Sequence, residues 1–83
     1  MAEHSINMKD LLIYIVSNLV DNPDAITVDE IENDGETTLE LRVAKEDMGK
    51  VIGRQGRIAK EIRTIIRSAA NRMDKRVSVE IIG

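Results

Sequence analysis

The sequence predicts a single α+β domain with the element order α-β-β-α-α-β, in which helices pack on one face of a three-stranded mixed sheet. Three segments carry apolar residues at helical spacing, three others alternate between apolar and polar residues, and turn-forming residues separate them. A chain of 83 residues supports one small core and is too short for two. We therefore expect residues 1–83 to form one domain, with residues 1–6 frayed.

The first helix is expected to begin at Met8, where Asn7 is a suitable N-cap and Asp10 lies in the first turn. The dipeptide Asn22-Pro23 is expected to end this helix, because proline disfavours helical backbone in the residue before it. The apolar residues follow the spacing of a buried stripe: Met8, Leu11, Leu12, Ile15, Val16, Leu19 and Val20.

Two antiparallel strands should follow, joined by a turn at residues 33–35, whose Asn-Asp-Gly sequence is typical of hairpins. In the first strand Ile26 and Val28 alternate with polar residues, whereas Ile31 breaks the alternation and is expected at a strand end or in a bulge. The second strand alternates throughout, with its inward-facing positions at Thr37, Leu39, Leu41 and Val43.

A short helix is expected from about residue 45 to Ile52, with Glu46 and Asp47 at the N-terminus, where acidic side chains are favoured. A longer helix should run from about Arg57 to Met73. This two-helix connection is long enough to bring a third strand parallel to the second. The alternating apolar residues of the third strand are Val77, Val79 and Ile81.

The longer helix is expected to separate an apolar face from a basic face. The basic side chains are Arg57, Lys60, Arg63 and Arg67. The apolar side chains are Ile58, Ile62, Ile65, Ile66, Ala69 and Met73. The apolar arc also extends through Ala59 and Ala70, and one small sheet is not expected to cover all of it.

Charge is strongly segregated along the chain, although the net charge is only −3. Residues 50–76 contain nine Lys and Arg and two acidic residues, which gives +7. The remainder has three basic and thirteen acidic residues, which gives −10. A concentrated basic segment is typical of a surface that binds a partner carrying phosphate groups.

The composition argues against several classes of function. Cysteine is absent and His4 is the only histidine, so disulfides, thiolate metal sites and a Cys-His pair are excluded, and no cofactor is expected. Carboxylates are plentiful but scattered, which indicates that the protein is not an enzyme. No apolar run approaches the roughly 20 residues of a membrane span, and no signal peptide is visible, so we expect a cytoplasmic protein.

The segment VIGRQGR interrupts an otherwise helical region with two glycines, each of which costs a helix about 1 kcal/mol. Gly53 and Gly56 allow positive φ angles and a close approach of the backbone to a ligand. A loop that opens a helix also presents free N–H groups at the positive end of the helix dipole. Because Arg54 and Arg57 are adjacent and Lys50 lies nearby, the segment is predicted to bind an anion such as a phosphodiester.

The segment MGKVIGRQGRIAKEIR resembles the signature of the KH domain, a module that binds single-stranded RNA, and the predicted element order resembles its type II topology. A free-standing domain of this size, with TIIRSAANRM and a short strand after the signature, is similar to the KhpA family of bacterial RNA-binding proteins. The resemblance covers the whole chain. It implies weakly sequence-selective binding of about four nucleotides, in RNA metabolism or post-transcriptional regulation, by a chaperone-like dimer.

The resemblance also implies the roles of individual residues. Residues Gly53–Gly56 would contact the RNA backbone, while Gly49 and Lys50 lie where KH domains bring a small residue and the short helix against the strand. An aliphatic surface would contact the bases in place of the missing aromatic rings, formed by Ile52, Ile58 and Ile62. The partners would be single-stranded RNA and a second copy, or a second KH-containing RNA-binding protein. The expected RNA-binding residues are Gly49, Lys50, Ile52, Gly53, Arg54, Gln55, Gly56, Arg57, Ile58, Lys60 and Arg63.

Three other interpretations remain open from the sequence. The glycines could serve only to cap two helices, with the basic face exposed to solvent and no ligand bound. A helix-turn-helix that reads duplex DNA has a similar pair of helices, although the basic helix here offers few of the side chains that read base edges. An assembly module would use the apolar arc for dimerisation and bind little RNA of its own.

Overall fold

A computed structural model describes residues 7–83, and the fraying expected of residues 1–6 lies outside this range. The helices and strands follow the predicted order: α1 Met8–Ser17, β1 Thr27–Asn33, β2 Glu36–Arg42, α2 Met48–Ile52, α3 Arg57–Arg72 and β3 Arg76–Ile81. Three short 3-10 turns lie between them, at Pro23–Ala25, Lys45–Asp47 and Arg54–Gly56. The predicted α-β-β-α-α-β order is therefore confirmed.

The start of α1 is confirmed, but its end was predicted wrongly. The Asn7 side chain accepts a hydrogen bond from the backbone N–H of Lys9 at 2.8 Å, as an N-cap does. At the other end, the helix stops at Ser17 rather than at Asn22-Pro23. Side chains end the helix first, because Ser17 Oγ and Asn18 Nδ2 both donate to the carbonyl of Tyr14, at 2.8 and 2.7 Å.

The sheet has the order β1-β2-β3, with β1 antiparallel to β2 and β2 parallel to β3. The hairpin turn is where the sequence predicted it, since Asp34 and Gly35 both have positive φ, at 56° and 81°. The helix-facing side of the sheet is apolar at its centre, where Leu39 is the partner of Val79 and Leu41 is the partner of Val28. The predicted mixed three-stranded sheet is confirmed.

Ile31 does not lie at a strand end or in a bulge. It lies within β1, paired with Thr38 in an unbroken register, and its side chain is 45% exposed. Strand side chains alternate between faces, so Val28 points towards the helices and Ile31, three residues later, points to the opposite face. The break in alternation therefore marks an apolar residue on the outer face and not an irregular backbone.

The packing of α3 against the sheet uses small residues at its centre. Ala59 and Ala70, which widen the apolar arc of the helix, are buried at 3% and 0% exposure. Ile62 and Ile66 complete the buried stripe. Ile65 was predicted to share this stripe, but it is 44% exposed, because the alanine side of the helix faces the core. The part of the arc that the sheet leaves uncovered is therefore Ile65.

Asp47 is a fully buried carboxylate that connects the start of α2 to the segment after α1. It accepts hydrogen bonds from the backbone N–H groups of Asp21 and Asn22, at 3.2 and 3.0 Å. The side-chain amide of Asn22 donates a third, at 3.1 Å, and the ammonium of Lys50 lies 3.8 Å away. Asp47 therefore acts as a link between two segments of the chain, a role that its place near a helix N-terminus did not indicate.

These contacts set the pKa of Asp47. Burial alone raises the pKa, but the hydrogen bonds from Asn22 and Asp21 and the charge of Lys50 outweigh it and hold the pKa below its ordinary value of 3.8. The folded state therefore binds fewer protons at this group than the unfolded state does. The stabilisation is present above pH 3.8 and is lost as pH falls through the lower, folded-state pKa.

We expect Asp47→Asn to lower the free energy of unfolding at pH 7, because the new amide nitrogen faces donors instead of accepting from them. The difference from the wild type should shrink as pH falls below 3.8, because the wild type then loses its carboxylate. Urea denaturation between pH 7 and pH 2 measures both effects. The control is Asp24→Asn, in the exposed turn Pro23–Ala25. An equal loss in both variants, or a gap independent of pH, would contradict this role.

Candidate nucleic-acid interface

The connection between α2 and α3 is a tight loop with an unusual backbone. Gly53, Gln55 and Gly56 all have positive φ, at 76°, 57° and 74°. The N–H of Gly53 donates to the carbonyl of Gly49 at 2.9 Å, and the N–H of Gly56 donates to the carbonyl of Gly53 at 3.2 Å. The predicted positive φ at both glycines is confirmed, whereas that of Gln55 gave no signal in the sequence.

The two glycines of the loop are required for different reasons. Gly53 has φ 76° and ψ 176°, a conformation that is essentially restricted to glycine. A Cβ atom there would also lie 2.8 Å from Cβ of Ile58 and 2.9 Å from its backbone nitrogen. Gly56 has left-handed φ, but a Cβ atom there would meet nothing within 4 Å. Gly53 therefore allows a close packing contact, and Gly56 allows only a turn.

The N-terminus of α3 is open to an external anion. Gly56 occupies the N-cap position and supplies no side-chain acceptor, so no capping side chain covers the first N–H groups of the helix. Arg54, Arg57 and Lys60 are exposed around this end, and among residues 7–83 none of them is in an ion pair. Free cations and unpartnered N–H groups at a helix N-terminus attract a phosphate.

Lys50 is less available than these three cations. Its ammonium lies 3.1 Å from a carboxylate oxygen of Asp21 and 3.8 Å from one of Asp47. The hydrogen bond and the charge of Asp21 raise the pKa of Lys50, with a smaller contribution from Asp47. The lysine is therefore charged but already paired with acidic side chains.

The aliphatic residues near the loop divide into surface and core. Ile52 and Ile58 are partly buried and keep some accessible surface, whereas Ile62 is 1% exposed and belongs to the core. Gly49 is exposed, and a Cβ atom there would meet nothing within 4 Å, so the expected close packing of a small residue against a strand is not found. The accessible apolar surface beside the loop is therefore contributed by Ile52 and Ile58.

Arg63 connects the basic face of α3 to the sheet. Its Nε donates to the backbone carbonyl of Val79 in β3, at 3.3 Å, while the side chain remains exposed. Because β3 is at the edge of the sheet and packs against α3, this helix and this strand border one surface, which we call the groove between α3 and β3. The loop lies at one end of this groove, at the N-terminus of α3. No cluster of three or more His, Cys, Asp or Glu that could hold a metal ion occurs within residues 7–83.

A hairpin, two helices joined by a Gly-x-x-Gly loop, and a third strand parallel to the second define a type II KH domain. The family model described as KhpA/KhpB, KH domain matches residues 9–81. The chain belongs to this family.

Relatives of similar length agree with this assignment. RNA-binding protein KhpA of Clostridium acetobutylicum is 59% identical over 75 residues, which cover 90% of this chain and 100% of that protein. RNA-binding protein KhpA of Caldanaerobacter subterraneus is 56% identical over the same shares of both chains. The protein of this name from Chlamydia caviae is 47% identical, over 90% of this chain and 96% of its own.

A solved structure shows the same fold at low sequence identity. A crystal structure of a variant of Aquifex aeolicus Era bound to GDP and aluminium fluoride superposes with a TM-score of 0.53 and 22% identity. The match covers 93% of this chain and 31% of the Era chain. The similarity concerns the fold alone.

Within residues 7–83 of this protein, no helix is long and apolar enough to cross a membrane.

We expect a series of alanine substitutions to rank the glycines by backbone strain. Gly53→Ala should destabilise by more than the roughly 1–3 kcal/mol of a strained backbone, because it also displaces Ile58. Gly56→Ala should cost about 1–2 kcal/mol. Gly49→Ala, in the exposed face of α2, should stabilise by about 0.5–1 kcal/mol. Urea denaturation gives all three values, and an equal cost at Gly53 and Gly56 would contradict the packing argument.

Proposed function

We propose that this protein binds single-stranded RNA through the loop Gly53–Gly56 and the groove between α3 and β3. The observation that carries the proposal is the open N-terminus of α3, where positive-φ backbone meets Arg54 and Arg57, neither of which forms an ion pair within residues 7–83. The relatives named RNA-binding protein KhpA support RNA as the ligand. The protein then acts in the cytoplasm in RNA metabolism or post-transcriptional regulation, as a binding protein and not as an enzyme.

The size and chemistry of the loop suggest a short and weakly selective contact. A Gly-x-x-Gly loop of a KH domain holds about four nucleotides by their backbone. The surface beside it offers Ile52 and Ile58 in place of aromatic rings, so bases would be contacted by packing and not by stacking. We expect affinity on the order of micromolar or weaker, because one short groove neutralises few phosphates. We also propose that Gly49, Lys50, Lys60 and Arg63 contact the RNA.

We expect the double variant Arg54→Asp, Gln55→Asp to lose RNA binding while remaining folded, because it places two carboxylates where the phosphates would lie. Fluorescence anisotropy of a labelled unstructured RNA measures binding, and circular dichroism measures folding.

If about three phosphates are neutralised, the wild-type slope of log affinity against log salt should be near −2, from roughly 0.7 per phosphate. The variant should bind too weakly for a slope to be measured.

The control makes the same change in charge at the opposite end of the domain. Asn33→Asp with Lys75→Asp also lowers the net charge by three, at the exposed hairpin and at the turn before β3. It should retain most of the affinity for RNA. Equal losses in both variants would mean that only the total charge matters. Stronger binding of duplex DNA than of single-stranded RNA would contradict the proposal.

Self-association is the second part of the proposal, with a second copy or another KH-containing RNA-binding protein as the partner. Ile65 is the large apolar residue that α3 leaves exposed, and it lies on the helix that also carries the basic face. A dimer through this face would bring two loops into one assembly, and two linked sites raise apparent affinity by effective concentration alone. This is the basis for a chaperone-like dimer.

We expect Ile65→Glu to shift the protein towards the monomer mass of 9.3 kDa, because a charge would be buried at the interface. Light scattering coupled to size-exclusion chromatography measures the mass. The control is Ile31→Glu, at an equally exposed isoleucine on the outer face of the sheet. A wild type that is monomeric at high concentration and in the presence of RNA would refute homodimerisation.

A further inference from the structure

A polar cavity lies at the end of α3 that is remote from the loop Gly53–Gly56. It is open to solvent and has a volume of about 260 Å³. Arg67 and Asn71 border it on α3, while Arg76 and Ser78 border it on β3. None of these four residues belongs to the set proposed above for RNA binding.

The cavity is bordered by α3 and β3, the same two elements that border the groove described above. Arg63, whose Nε donates to the carbonyl of Val79, lies one helical turn before Arg67, so the cavity comes next after this contact along α3. A helix rises about 1.5 Å per residue, which places Arg67 roughly 15 Å beyond Arg57. At about 3.4 Å between successive nucleotides of a stacked strand, this distance spans roughly four to five steps and therefore about five to six nucleotides. An RNA strand held at the loop therefore reaches the cavity.

The side chains in the cavity suit a nucleobase. The Asn71 amide offers both donors and an acceptor, which base edges also present, and the planar guanidinium of Arg67 is a surface on which a base stacks. Among residues 7–83 neither side chain has a hydrogen bond or ion pair to another residue. The volume is below the roughly 300–1,000 Å³ of pockets for larger ligands, which favours a single ring system.

Helix electrostatics favour a base inside the cavity over a phosphate. The last turn of α3, which contains Asn71, carries the negative end of the helix dipole and disfavours an anion. Arg67 at the rim supplies a cation for the adjoining phosphate. Arg76 is already 3.5 Å from the carboxylate of Glu36, so its charge is partly balanced.

We propose that this cavity is a second contact site for single-stranded RNA, in which Asn71 hydrogen-bonds to a base and Arg67 stacks on it. The inference rests on the proposed RNA-binding function and extends it, because the contacted strand is longer than the stretch held by the loop. Binding should therefore depend on RNA length beyond four nucleotides.

The test compares oligouridines of four and ten nucleotides, titrated with the wild type and with Asn71→Ala. This substitution leaves the net charge unchanged and raises helix propensity, so folding is preserved. We expect equal affinity for the four-mer and a roughly three- to tenfold loss for the ten-mer. A ten-mer can bind in more registers than a four-mer, but this factor is the same for the wild type and the variant and cancels in the ratio of their affinities. Ser68→Ala, on the exposed surface of α3 outside the cavity, is the matched control.

A second pair of variants separates the cavity from general electrostatics. Arg67→Gln removes a charge in the cavity, and Arg72→Gln removes the same charge from the exposed end of α3. We expect the first to weaken ten-mer binding several-fold more than the second. Equal losses in these two variants, equal losses of Asn71→Ala on both RNA lengths, or no effect of Asn71→Ala would overturn the cavity assignment while leaving the loop proposal intact. Failure of the wild type to bind either RNA would overturn the loop proposal as well.

Discussion

The close approach of Gly53 to Ile58 is the constraint on which the candidate interface depends. Ile58 occupies the space where a side chain at position 53 would stand, so α3 begins directly against the end of α2. Because Ile58 also packs against the core, this contact fixes the direction in which α3 starts. The orientation of the first N–H groups of α3, and the positions of Arg54 and Arg57 around them, follow from it. The chemistry of the site is thus a consequence of one missing side chain.

The folded domain keeps opposite charges on different surfaces. On the outer face of the sheet, Asp29, Glu40 and Glu80 lie side by side in the strand register, where like charges disfavour pairing. Arg42 reduces this repulsion, at 3.1 Å from Asp29 and 3.8 Å from Glu40. The basic residues instead line α3, on the other side of the sheet. A polyanion is therefore repelled from one face and attracted to the groove, although the net charge of the chain is negative.

The features that the sequence predicts well depend on neighbouring residues, and the others depend on distant ones. The hairpin turn and the glycine loop are encoded within a few positions, so both could be predicted. The role of Asp47 depends on a contact with Asn22, which is 25 residues away in the sequence. Only folding brings these two residues together. The helical pattern of α3 gives a broad apolar arc but not the angle at which the sheet meets it, so Ile65 was misplaced. Gln55 adopts positive φ because it lies inside the turn that is closed by the hydrogen bond from the N–H of Gly56 to the carbonyl of Gly53.

The contact between Arg63 and Val79 has a further consequence for the free protein. β3 is an edge strand, and unpaired backbone groups on an edge are a template for adding a strand from another chain. The guanidinium of Arg63 occupies one of these carbonyls, and the charged side chains of Arg76 and Glu80 lie along the same strand. By occupying this carbonyl, Arg63 makes the edge of the sheet a poorer template for a strand from another chain. Replacing Arg63 would leave the carbonyl of Val79 free to pair with a strand from another molecule.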